Sequence, residues 1–164
     1  MLHKPVARSV VILACLLTLT GSVSIGREAA LLAYDDDPRL AALQEFFESF
    51  DSPAGELSEH FLAAADRHGL DWRLLPCISI IESGGGKACV NNNILGWNSC
   101  RRRFPSAQAG IETVASRLAN SNLYKGKDLE EKLQTYNPHP GYPVRVMTLM
   151  RQLRPGQTSA SMPD

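Results

Sequence analysis

Apolar residues along this chain recur every three or four positions, the period of amphipathic helices rather than strands. After Asp37-Pro38, a capping carboxylate followed by a first-turn proline, come Leu40, Leu43, Phe47 and Phe50, and Ser52-Pro53-Ala54-Gly55 then breaks the pattern. A second helix is predicted over about 56–68, with Leu57, Phe61, Leu62 and Ala65 on one face and Gly69 as its stop. Asp71 introduces a third over about 72–83, which buries Leu74, Leu75, Ile78 and Ile81, tolerates Pro76 near its first turn and ends at Gly84-Gly85-Gly86. Three further helices are expected, over about 106–118 (Ile111, Val114, Ala115, Leu118), 128–136 (Leu129, Leu133, Tyr136) and 143–153 (Val146, Leu149, Met150, Leu153). No segment alternates as a half-buried strand would and no internal repeat is visible, so the reading is an all-α single domain.

Two stretches stand apart from the helical pattern. Residues 10–25, VVILACLLTLTGSVSI, follow His3, Lys4 and Arg8 and precede a polar acidic segment. That is the layout of a secretory signal over 1–26, which implies export to the periplasm or cell envelope, or secretion. An uncleaved anchor helix is the alternative and the only membrane attachment expected; Cys15 lies inside the apolar run, where a lipoprotein signal would end it. The second stretch, 83–105, is rich in Gly, Asn and Ser and contains no acidic residue. It joins two helices and is the candidate binding loop. The chain thus divides into 1–26, an N-terminal helix and linker (27–55), a core domain (56–154) and a flexible tail (155–164).

Composition narrows the classes. With 164 residues, 44% hydrophobic and 21% charged, the chain is neither collagen-like, coiled-coil nor disordered, and its net charge of 0 gives no support to nucleic-acid binding. The zero hides an asymmetry: residues 27–82 hold four basic and twelve acidic side chains, residues 83–164 eleven basic and five acidic. The second half can face an anionic partner, although solvated helix faces would read the same way. His60, His68 and His139 lie in neither an HExxH nor a CxxC pattern, so they read as surface residues and no metal is expected. Export permits disulfides, and Cys89 and Cys100 bracket the loop, where a bridge would remove roughly 3 kcal/mol of unfolded-state entropy. Cys77 pairing with either of them, or acting as a reactive thiol, are the alternatives; its apolar surroundings disfavour the thiolate that reactivity needs.

The chemistry centres on Glu82, a carboxyl in the last turn of an apolar helix that opens into the Gly/Asn loop. Partial burial and the negative end of the helix dipole both favour a protonated carboxyl, the form a general acid must hold. A water-facing glutamate before an ordinary glycine stop is the bland reading.

Taken in order, Gly69-Leu70-Asp71-Trp72-Arg73-Leu74-Leu75-Pro76, Ile81-Glu82-Ser83-Gly84, Gly86-Lys87, Asn92-Asn93-Ile94-Leu95-Gly96-Trp97 and Tyr136-Asn137-Pro138 resemble the lysozyme-like superfamily, in particular bacterial glucosaminidase and soluble lytic transglycosylase domains. The resemblance covers about 56–154. It implies a lysozyme-like all-α fold with a long cleft loop, acting without cofactor, as a monomer, on peptidoglycan glycan strands. By the same resemblance Glu82 protonates the glycosidic oxygen and Tyr136 lies beside it as the second catalytic residue. Ser83, Asn92, Asn93, Gly96, Trp97 and Asn137 would contact substrate. From the residues alone, Tyr136 equally continues a core stripe, Trp97 anchors a loop, and Asn91 to Asn93 form turns.

The chain lacks the Gly-Leu-Met-Gln element of the transglycosylases, and Asn92-Asn93-Ile94-Leu95-Gly96 is closer to the glucosaminidase version. No carboxylate lies between Glu82 and Glu112, and Glu112 reads as a solvated helix residue. A lone acid suits substrate assistance, in which the 2-acetamido oxygen of the sugar attacks C1. Arg101, Arg102, Arg103 and Lys87 are candidate guides for the carboxylates of such a substrate. Two other classes remain open at this point: a non-catalytic peptidoglycan-binding or envelope-assembly module, and a small secreted helical effector that docks a protein through its acidic half.

Overall fold

The computed structural model describes residues 34–155, and the expected export segment and most of the expected tail lie outside them. Six α-helices and no strand occur among the described residues: α1 (Pro38–Ser49), α2 (Ser58–His68), α3 (Leu74–Ser83), α4 (Ala107–Asn120), α5 (Leu129–Tyr136) and α6 (Tyr142–Gln152). A short 3-10 turn, Pro53–Leu57, precedes α2. None of these helices is long and apolar enough to cross a membrane.

Local chemistry sets the boundaries. The Asp37 carboxylate accepts from the N–H of Arg39 at 2.8 Å, ahead of Pro38 at the start of α1. Ser52 performs the same service for the 3-10 turn, accepting from Ala54 N–H at 3.2 Å. Ser106 caps α4, and Asp128 with Glu131 forms a reciprocal capping box at α5. The third helix begins two residues later than its pattern suggests because Asp71 holds Arg73 N–H in a turn at 3.0 Å. Pro76 therefore sits in the first turn, where no intrahelical donor is needed.

One core unites these helices. Residues 74–79 of α3 are buried on every side, and α6 covers one flank of this helix while α5 packs on α6. On the other side α2 packs against α4, and α1 lies on α2. Phe47 of α1 and Phe61 of α2 are fully buried, with ring centroids 5.4 Å apart. Each such side chain contributes roughly 1.5–3 kcal/mol through burial, so α1 belongs to the same core as residues 56–154. Arg39 ties α1 down further, bonding Asp37 and, at 2.8 Å, Asp66 of α2.

Candidate active site

Helix α3 ends where Gly84 adopts φ 62°, a left-handed conformation that costs glycine little. The chain then crosses 84–105 with Asn91, Asn92, Asn98, Ser99 and Cys100 also at positive φ. That conformation is unfavourable by about 1–2 kcal/mol for an L-residue, though less for Asn, and side-chain amides supply the compensation. Asn91 Nδ2 donates to Cys100 O, and Asn92 Nδ2 to Phe104 O and Pro105 O. Asn93, almost fully buried, donates to Trp97 O and Arg102 O and accepts from Trp97 N–H at 2.8 Å. Ser83 Oγ donates to Ile94 O at 2.7 Å and accepts from Gly86 N–H at 2.8 Å. These bonds do for the loop what a strand ladder does for a sheet.

The consequence for the expected site is direct. Ser83, Asn92 and Asn93, read from the resemblance as substrate contacts, direct these groups into the loop and do not line the cleft. They build the wall rather than face the ligand, in line with the turn-forming reading of the asparagines. Glu82, Gly96, Trp97, Tyr136 and Asn137 do come together, lining an open cleft of about 610 Å³. Its volume lies within the range typical of small-ligand sites.

Close approach at Gly96 shapes this wall. With φ at 66°, a β-carbon there would stand 3.0 Å from both Cβ and Cδ of Glu82, so the loop backbone lies directly on the glutamate. Trp97 follows, its ring 5.5 Å from Tyr136 in edge contact and 6.1 Å from Tyr124. Aromatic rings beside a carboxyl give the cleft both a stacking surface and a hydrogen-bonding group. Tyr136 Oη donates to Leu95 O, and burial followed by the charge of Glu82 pushes its pKa well above the ordinary range. That places Tyr136 beside Glu82, with its proton committed to the loop.

The opposite wall escaped sequence reading. Thr113, Arg117 and Ser121, spaced by four on and just beyond α4, line the cleft together with Tyr124. Their spacing marks one helix face, but a polar face is the ordinary solvated surface of an amphipathic helix and carries no signal of its own. Among the described residues, Glu82 is the only acidic one lining the cleft, against two arginines, Arg102 and Arg117. Arg101, Arg103 and Lys87 are exposed and lie outside it.

The other candidates fall elsewhere. Glu112 on α4 pairs with Arg67 and His68 of α2, a tie between the two helices, and does not line the cleft. His68 is therefore a hydrogen-bond partner of Glu112, at 2.8 Å, rather than a plain surface residue. Cys77 is fully buried, and desolvation pushes its thiol pKa far up, which removes the basis for a reactive Cys77. Cys89 and Cys100 are free thiols, close enough that the charge of Cys100 adds to the burial that raises the pKa of Cys89. No group of three or more His, Cys, Asp or Glu side chains able to hold a metal occurs among the described residues. No model of a known protein family matches this chain, no curated protein matches its sequence, and no solved structure matches it.

Proposed function

We propose that this chain is a lysozyme-like glycosidase that cleaves the β-1,4 glycan backbone of peptidoglycan. The observation that carries the reading is Glu82: a single carboxyl in a cleft walled by Trp97 and Tyr136, with no second acid among the lining residues. Glycosidases that use two carboxylates place them on opposite sides of the scissile bond, and the wall opposite Glu82 carries Arg117 and the hydroxyls of Thr113 and Ser121 instead. A one-acid site fits substrate assistance. Protonated Glu82 gives its proton to the glycosidic oxygen while the carbonyl oxygen of the 2-acetamido group bonds to C1, expelling the leaving sugar. The Glu82 carboxylate then takes a proton from the attacking hydroxyl, from water or from the sugar's own 6-hydroxyl, as the C1–acetamido bond breaks.

Arg102 and Arg117 supply the electrostatic grip, since peptidoglycan carries carboxylates on its lactyl groups and peptides. A Cys89–Cys100 bridge after export belongs to the same proposal: it would pin the loop that presses Gly96 onto Glu82, and it predicts a peptide pair lighter by about two mass units than the thiol form.

Mass spectrometry of fragments released from purified peptidoglycan tests the reading. Ends in 1,6-anhydromuramic acid identify a transglycosylase, and reducing N-acetylglucosamine ends identify a glucosaminidase. Binding to the sacculus with no release of either would replace the enzyme by the non-catalytic binding module.

A further inference from the structure

Among the described residues, one buried side-chain polar atom has no hydrogen-bond partner, the hydroxyl of Tyr142. The residue is only 2% exposed. An unmatched buried hydroxyl is unfavourable, and phenylalanine would fill the same space without it. Its position narrows the groups it could serve. Tyr142 opens α6, which packs against α3, the helix that carries Glu82. Its ring stacks on Tyr136 at 6.1 Å and 9°. The Tyr136 proton already lies on the Leu95 carbonyl, so toward Glu82 that residue offers only lone pairs. The Tyr142 proton is not committed to the loop. Burial raises the pKa of this phenol most, the charge of Glu82 next, and a contact of the hydroxyl with the Glu82 carboxyl adds to the rise.

We infer that Tyr142 is a positioning residue whose hydroxyl donates to the Glu82 carboxylate. One carboxylate oxygen is then held by Tyr142 from the core side, and the other is left to face the cleft. The two tyrosines divide the work: Tyr136 fastens the loop at Leu95, and Tyr142 fastens the acid. Tyr142 transfers no proton itself; it fixes which oxygen of Glu82 does. The kinetic consequence rests on Glu82 being the general acid, whereas the contact does not.

A thermal-unfolding cycle of Tyr142→Phe, Glu82→Ala and the double variant reads the contact without any activity. The expected result is a melting temperature for the double variant that departs by about 2 °C or more from the sum of the single shifts. Alongside it, Tyr142→Phe should lower kcat on peptidoglycan about tenfold with KM within about twofold, and should have no further effect in a Glu82→Gln background. Additive shifts would overturn the proposal. So would a Tyr142→Phe protein that is more stable than wild type and turns over normally, because the hydroxyl would then be an orphan only. A coupled cycle in a protein that releases no glycan would keep the contact and sink the glycosidase reading instead.

Discussion

Helices α2 and α3 stop in the same way, at Gly69 with φ 62° and ψ 36° and at Gly84 with φ 62° and ψ 35°, yet their last turns carry opposite charge. The end of α2 holds Arg67 and His68, both paired with Glu112, and a cation there complements the negative pole of the helix. The end of α3 holds Glu82, an acidic side chain at the same kind of pole, with no ion pair among the described residues. One terminus is arranged for stability. The other keeps a carboxyl where helix electrostatics disfavour it, at the mouth of a cleft and under the backbone of Gly96. A carboxyl placed there gains no stability from the helix, and the role proposed for Glu82 would account for its position.

Alanine at two glycines breaks the comparison most sharply. Gly96 and Gly69 share a left-handed backbone, but a β-carbon at Gly69 meets nothing within 4 Å, while at Gly96 it collides with Glu82. Gly96→Ala is expected to lower glycan cleavage on the order of 100-fold, the scale of an acid misplaced by about 1 Å. Gly69→Ala should cost about 1 kcal/mol in denaturant unfolding and leave cleavage unchanged. Equal losses of activity in the two would mean that backbone strain, not contact with Glu82, decides the effect.

A smaller effect is expected at the stabilising terminus. Glu112→Ala leaves Arg67 and His68 unpaired and should lower stability by about 1 kcal/mol, since these groups are partly exposed, without changing kcat or KM. A loss of turnover there would erase the distinction between the two helix ends.

The smallest effect concerns Arg39, whose hydrogen bonds hold the carboxyls of Asp37 and Asp66 below the ordinary range. Carboxyls with depressed folded-state values add stability that is present above the unfolded value near ~4 and is lost as pH falls through the folded values. Arg39→Met should therefore lower the melting temperature by a few degrees at pH 7, with the gap from wild type closing below about pH 4. A gap that stays constant with pH would assign the loss to packing.

Much of the scaffold was legible because capping chemistry is local. Asp37, Gly69, Ser106, Asp128 and the triple glycine each act within a few residues of themselves, so their type and spacing sufficed. The site was legible only on one wall. Glu82, Gly96, Trp97, Tyr136 and Asn137 line one cleft, whereas Ser83, Asn92 and Asn93 satisfy the loop's own backbone. A polar residue type states that a hydrogen bond is needed and not where it goes. Arg117 and Thr113 look like any solvated helix face until α4 is placed across the cleft, and Tyr142 looks like a core aromatic at a helix start until its hydroxyl is found without a partner.

Glu82→Gln measured in parallel for melting temperature and for release of glycan fragments tests the central claim most directly. Glu82→Gln is expected to unfold no earlier than wild type, because an acidic side chain has left the negative end of α3, while release falls by about 100-fold to 10,000-fold. A variant that still cleaves at the wild-type rate, or one that loses activity only because it unfolds, would contradict it.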